Sequence, residues 1–154
     1  MATKRSKSCA FCDQVVKHES DRLIYKDNLV MVFPTNIPIV PGHILICPVR
    51  CIENINNLTK KELFAIFSII NKLSLILAPI FETSGFNYAW NEGECAGQAV
   101  PHLHIHMLPR KPGDAGITTY EPRKFLYRPG SREKSPDREL SSIAKTIRDS
   151  MVLD

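Results

Sequence analysis

The order of elements readable in the sequence predicts an α+β domain: a mainly antiparallel sheet, one long packed helix and a C-terminal helix. Three observations lead there. Short β-rich runs flank a single long helical segment, with none of the repeated βαβ alternation that builds a parallel sheet. A tight polar turn joins the first two of those runs. A chain of 154 residues with 44% apolar composition can bury a core of its own without disulfides. The chain is therefore read as one domain over 1–154, with an N-terminal arm at 1–21 and a basic loop plus helix at 110–154.

The arm is polar and basic apart from CAFC, Cys9 to Cys12. Leu23 to Phe33 (LIYKDNLVMVF) reads as two short strands around a Lys26-Asp27-Asn28 turn, a hairpin. Pro34 to Gly42 is a proline-rich loop, and HILICPV after it supplies a buried strand. Thr59, with Glu62 three residues on, has the capping-box spacing and opens the long helix, which is expected to end near Pro79. Leu63 to Phe81 is long enough to raise the question of a membrane span, but Asn71 and Lys72 sit at its centre, where a charge is costly. A soluble helix is the reading, with no membrane partner expected.

On a helical wheel, Lys61, Ser68 and Lys72 form a polar stripe, and Leu63, Ile66, Phe67, Ile70, Leu73 and Leu77 form an apolar face. Ile69, Ile76, Phe64 and Leu75 widen that surface beyond what one sheet covers, which predicts packing on a second subunit as a homodimer. Gly85 to Trp90 and Ala99 to Leu108 are strand candidates joined by the glycine-bearing loop NEGECAGQ. In the last segment, Ser135 is expected to cap a helix with Pro136 at its first position and Leu140, Ile143, Ala144 and Ile147 as its buried stripe.

Twenty basic residues against 16 acidic ones leave a formal net charge of +4. That mild excess suits an anionic substrate such as a nucleotide and falls short of the basic stripe of a dedicated DNA binder, so no stable nucleic-acid partner is expected. The start MATKRSKSCAFC has no apolar run of the secretory kind, and the cysteines are odd in number, five. Both observations point to the cytoplasm and reduced thiols.

Three of the five histidines stand at alternate positions in PHLHIHMLPR, Pro101 to Arg110. On a strand, alternate side chains share a face roughly 6.5 to 7 Å apart. His102, His104 and His106 then point one way, and Leu103, Ile105 and Met107 face the core. Each imidazole has two ring nitrogens that need partners, so packing alone does not account for three in register. Either the row binds a catalytic metal, or a neutral imidazole is itself a nucleophile whose neighbours supply protons and charge. The surroundings favour the nucleophile: Gly93 and Gly97 in the preceding loop let backbone amides approach phosphate oxygens, and Arg110 and Lys111 follow the row.

The run HLHIHML resembles the signature of the histidine triad hydrolases: histidine, apolar, histidine, apolar, histidine, then two apolar residues. The likeness extends through VPGHILICPVR, NEGECAGQAVPHLHIHMLPRKPGD and the helix between them, and is greatest to the branch that contains the fragile histidine triad protein. It implies that His104 attacks the α-phosphorus of a nucleotide and forms a covalent nucleotidyl-histidine, which water hydrolyses. It implies that His106 contacts the phosphate and helps deliver a proton to the leaving group, and that His43 in PGH supports the row. Transferase relatives carry glutamine at the His106 position, so the histidine argues for hydrolysis.

Asn91 and Gln98 match positions that approach the phosphates, and Phe33 and Leu45 match an apolar cleft around the base. Two departures stand out: Thr35, with Asn36 beside it, occupies a ribose-contacting position that usually holds Asp or Asn, and Ala99 replaces a common Ser or Thr. The implied substrates are dinucleoside polyphosphates, accompanied by magnesium, with nucleoside phosphoramidates as the alternative.

Cys9-x-x-Cys12 taken alone is half a zinc site or a redox pair. CAFC resembles the zinc-bearing members of the family, which complete the site with a histidine after the arginine of PxR and with the first histidine of the triad. Those positions hold Cys51 and His102 here, so the resemblance implies a structural zinc on Cys9, Cys12, Cys51 and His102. Cys47 and Cys95 have no partner pattern, and His18 reads as a surface residue. A function of another class, a basic RNA-binding module using Arg123, Lys124, Phe125, Tyr127 and Arg128, would leave the histidine row unexplained.

Overall fold

The computed structural model describes residues 9–16, 21–116 and 134–151. Its fold is α+β, as expected. Five strands form one antiparallel sheet: β1 (Tyr25–Lys26), β2 (Val30–Pro34), β3 (Ile44–Pro48), β4 (Gly85–Ala89) and β5 (Ile105–Arg110), in the spatial order β1-β2-β3-β5-β4. Two helices, α1 (Lys60–Phe81) and α2 (Asp137–Met151), pack into the core on one side of it.

The hairpin forms because Asp27 replaces turn backbone with side chain. Its Oδ1 accepts the N–H groups of Leu29 and Val30 at 2.7 and 2.8 Å. The register then decides what each face carries. Phe33 lies opposite Leu45, Leu45 opposite His106, and His106 opposite Ala89, so these four residues share one row and one face. The other face presents Val32, Ile44, Ile46, Ile105 and Met107 to Ile66, Leu73 and Leu77 of α1 and to Ala144 and Ile147 of α2. On the first face the cover is thinner: Phe11 of the arm packs on the cluster of Met31, Phe33, Leu45 and Cys47. Among the described residues, the helices thus hold the sheet from one side, and Phe11, Leu23 and Val49 pack on the other.

α1 opens with the expected capping box, Glu62 N–H donating to Thr59 Oγ1 at 3.2 Å and Thr59 N–H to Glu62 Oε2 at 2.8 Å. Arg50 adds what the spacing did not foretell. Its Nε and Nη2 each donate to one carboxylate oxygen of the buried Glu62 at 2.8 Å. The Arg50 bonds outweigh burial and hold the Glu62 pKa down from 4.5 to about 2. A carboxyl depressed by folding contributes stability that is complete above its unfolded value and lost as pH falls through its folded one. Acid should therefore erode stability between pH 4.5 and about 2. Glu62→Gln should flatten the slope of Tm across that window and cost about 1–2 kcal/mol at neutral pH, the exposed guanidinium screening part of the pair. An unchanged slope in the variant would refute the assignment.

α1 ends near Pro79 as expected: the proline sits in the last turn, and Glu82 after Phe81 turns left-handed at φ 50, ψ 40 with its N–H on Ala78 O. Two local expectations need correction. The buried stripe of α1 is Ile66, Ile69, Leu73, Ile76 and Leu77, whereas Leu63 and Phe67 of the expected face are 40% and 53% exposed. Periodicity locates an apolar arc, and where that arc exceeds the sheet's reach it does not say which flank stays outside. Finally, α2 starts at Asp137, and it is the Pro136 carbonyl that receives the first bonds, from Glu139 and Leu140. Leu140, Ala144 and Ile147 of its expected stripe are buried, and Ile143 packs beside them.

By length and composition alone α1 could cross a membrane; in this fold it is the core helix of a sheet. The expected RNA-binding residues Arg123, Lys124, Phe125, Tyr127 and Arg128, and also His18, lie outside the described residues.

Candidate active site

Only His106 of the three clustered histidines belongs to the strand ladder. β5 begins at Ile105, not at Ala99, and His102 and His104 precede it in a lead-in pinned by Leu103 N–H on Ile52 O at 2.6 Å. Burial does not alternate here, since His102 and His104 are buried like Leu103; Ile105 and Met107 join the helix-side core, while the ring contact of His104 with His106 keeps these two on the other face. The rings of His104 and His106 meet edge to face with centroids 5.1 Å apart, and His43 adds a third ring 5.1 Å from His106.

His43 reaches this position because the loop before it turns at Gly42, where φ is +83° and an added Cβ would lie 2.7 Å from the Phe81 ring and 2.8 Å from Pro109. Only glycine allows both the backbone angle and that approach.

Backbone groups dictate which nitrogen of each ring carries the proton. Ile39 N–H donates to His43 Nδ1 at 3.1 Å, so His43 in its neutral form bears its proton on Nε2, which lies 2.9 Å from His106 Nδ1. His106 Nδ1 therefore accepts, and the His106 proton sits on Nε2. His104 Nδ1 lies 2.7 Å from the His102 carbonyl and must donate to it, which leaves the lone pair on Nε2. Burial lowers the His104 pKa, against the opposing pull of that same hydrogen bond, and favours the neutral ring. The result is a neutral imidazole with a directed lone pair, next to a second imidazole with a directed proton.

The third ring is turned to other work. His102 Nε2 is 2.8 Å from Pro48 O, which it serves as donor, so Nδ1 presents a lone pair toward Cys9 Sγ at 3.3 Å and Cys12 Sγ at 3.6 Å. With Cys51 these side chains form a Cys3His group whose ligand atoms all lie within 4.8 Å of one another. Burial first and then Cys9 push the Cys51 thiol up to about 12, and burial likewise raises Cys12. A bound cation would reverse that and bring out the thiolates. Three sulfurs, one imidazole with its tautomer already fixed, and this spacing fit a tetrahedral zinc.

Of the residues expected around the nucleotide, Phe33, Thr35, Asn36 and Leu45 line one cleft of about 150 Å³. Sequence reasoning missed Ala10, Phe11, Arg22 and Val100, which complete it. Phe11 stands between two of the cysteines, and its ring meets Phe33 and His104 edge-on, both at 5.2 Å. Asn91 and Gln98 do not join this cleft. The Gln98 side chain accepts Gly93 N–H at 2.8 Å and donates to Glu53 O at 2.7 Å, stapling the glycine loop to the segment after β3. Asn91 is half-buried at the start of that loop. Cys47 and Cys95 are free thiols, the first buried and the second exposed.

The family model of the HIT domain matches residues 16–113. The chain belongs to the HIT family. Among HIT relatives, the asymmetrical bis(5'-nucleosyl)-tetraphosphatase of Schizosaccharomyces pombe is 36% identical over 93 residues, 60% of this chain and 51% of that one. The bis(5'-adenosyl)-triphosphatase of Dictyostelium discoideum is 33% identical over 99 residues, 64% of this chain and 63% of that one. This HIT chain thus matches about half to two thirds of those relatives' own length. Among solved structures, the diadenosine triphosphate hydrolase of Plasmodium falciparum, in complex with cyclomarin A, matches with a TM-score of 0.72 at 25% identity, covering 87% of this chain and 78% of that one.

Proposed function

We propose that this HIT protein hydrolyses dinucleoside polyphosphates through a nucleotidyl group carried on His104. The observation that carries the reading is the pair of fixed tautomers: a lone pair on His104 Nε2 beside a proton on His106 Nε2. The base lies against Phe11, Phe33 and Leu45. His104 Nε2 attacks the α-phosphorus, the N–P bond forms as the P–O bond to the rest of the polyphosphate breaks, and His106 gives its proton to the departing oxygen. Positive charge that develops on the His104 ring is met by the His102 carbonyl, already in place as acceptor. Water then attacks phosphorus, the N–P bond breaks, His106 takes back a proton, and a nucleoside monophosphate leaves.

The test is turnover of a diadenosine polyphosphate beside an adenosine phosphoramidate by the same preparation. A higher kcat/KM for the polyphosphate is expected; a higher value for the phosphoramidate would move the protein to the alternative substrate class.

The relatives named as nucleosyl polyphosphate hydrolases support the substrate class. A structural zinc on Cys9, Cys12, Cys51 and His102 belongs to the same reading. Magnesium enters the reading only as a companion of the substrate's phosphates. Cysteines that serve as zinc ligands or, at Cys47 and Cys95, as free thiols suit a reducing compartment, and the cytoplasm is the proposed location.

The homodimer proposal has its support in exposure. Phe64, Phe67 and Leu75 of α1 are 75%, 53% and 72% exposed, and β4, carrying the exposed Tyr88, is an edge strand of the sheet among the described residues. Sedimentation at low micromolar concentration should show twice the chain's mass. A stable monomer there would eliminate the dimer.

A further inference from the structure

The cleft has two unlike ends. Phe11, Phe33 and Leu45 form an apolar wall next to the histidines, and Arg22, Thr35 and Asn36 form a polar end. With the 5'-phosphate at His104 and the base on the aromatic wall, the 2',3' edge of the sugar is what remains to meet the polar end. This step rests on the nucleotide reading proposed above.

A neutral ribose diol is well matched by a carboxylate, which accepts from both hydroxyls, whereas an arginine in that place suits a sugar that carries a phosphate. Among the described residues lining the cleft there is no carboxylate, and there is a guanidinium. Arg22 Nη2 donates to Pro34 O at 3.0 Å, the carbonyl immediately before Thr35, and this fixes the guanidinium at the polar end. Thr35 Oγ1 accepts Ile37 N–H at 3.3 Å and keeps its O–H to donate. Arg22 is half-buried, so its field is screened less than that of a surface arginine, and Asp137 of α2 is a carboxylate that acts on it. A guanidinium, a hydroxyl donor and an amide gathered at one end of a cleft form a receptor for an anion.

We propose that Arg22, with Thr35 and Asn36, makes this cleft selective for nucleotides that carry a phosphate monoester on the ribose, at the 2' or 3' position.

Calorimetric titration of the full chain with adenosine 5'-monophosphate, adenosine 2',5'-bisphosphate and adenosine 3',5'-bisphosphate tests it. One bisphosphate should bind about tenfold or more tighter than the monophosphate, and the two arms identify the hydroxyl concerned. Arg22→Gln should bring that ratio to about one, and Arg22→Lys should keep part of it. Because base and 5'-phosphate are common to all three probes, general damage to the cleft weakens them together and does not move the ratio. Equal or weaker binding of both bisphosphates would overturn the inference and leave the nucleotide reading intact. A preference that survives in Arg22→Gln would overturn it too, by assigning the selectivity to another group. Failure of all three probes to bind, together with absence of turnover, would remove both readings at once.

Discussion

His104→Ala is expected to lower kcat by about 10³-fold or more while leaving the protein folded. The residue would carry the covalent intermediate, so no neighbour replaces it: His106 Nδ1 is committed to His43, and His102 faces the cysteines. The fold should tolerate the change because the core side of this segment is held by Leu103, Ile105 and Met107, none of which the substitution touches. The cost in stability is the loss of the Phe11 edge contact and of one hydrogen bond to the His102 carbonyl. Steady-state turnover beside a thermal melt checks both halves. A folded variant with nearly normal turnover would sink the covalent mechanism.

Loss of zinc is the second large effect. Protein purified without chelator should contain about one zinc per chain, and Cys12→Ser should lose it, with Tm falling by about 10 °C or more, because metal binding at such a site is folding free energy. Catalysis should fall indirectly and in a particular way. Phe11 lies between Cys9 and Cys12 and touches both Phe33 and His104, so release of the arm removes one wall of the cleft and the packing on the nucleophile together. KM should rise along with the fall in kcat. Metal-free protein of full stability and activity would show the four side chains to be an ordinary cluster of thiols around a histidine.

The parts of this molecule that were legible in the sequence are those with a local code. The capping box at Thr59 and Glu62, the Asp27 turn and the core-facing pair Ile105 and Met107 follow from spacing alone, and each formed. What escaped came from partners brought together by the fold. Arg50 grips Glu62 from a loop with no periodic signal, and Arg22 reaches the cleft by bonding to a carbonyl 12 residues away. Phe11 was hidden by its neighbours, since a metal motif draws attention to its cysteines and not to the residue between them. The outward flank of α1 illustrates a different limit: hydrophobicity was read correctly at Phe64 and Leu75, but which apolar residues meet the sheet depends on the sheet's width.

The bond from Ile39 to His43 sets a direction that turnover cannot reverse. A backbone amide at neutral pH is a donor and not a carrier of protons on the timescale of turnover, so toward Ile39 the chain of imidazoles is a cul-de-sac. In the proposed mechanism, a hydrogen ion that His106 hands to a departing oxygen would have to be regained on the cleft side, from the incoming water. The two proposed half-reactions would then be obliged to alternate. The side chain at position 39 is irrelevant to this. Its N–H is not, and the one natural residue that lacks that group is proline, which already occupies positions 38 and 41 on either side of the segment.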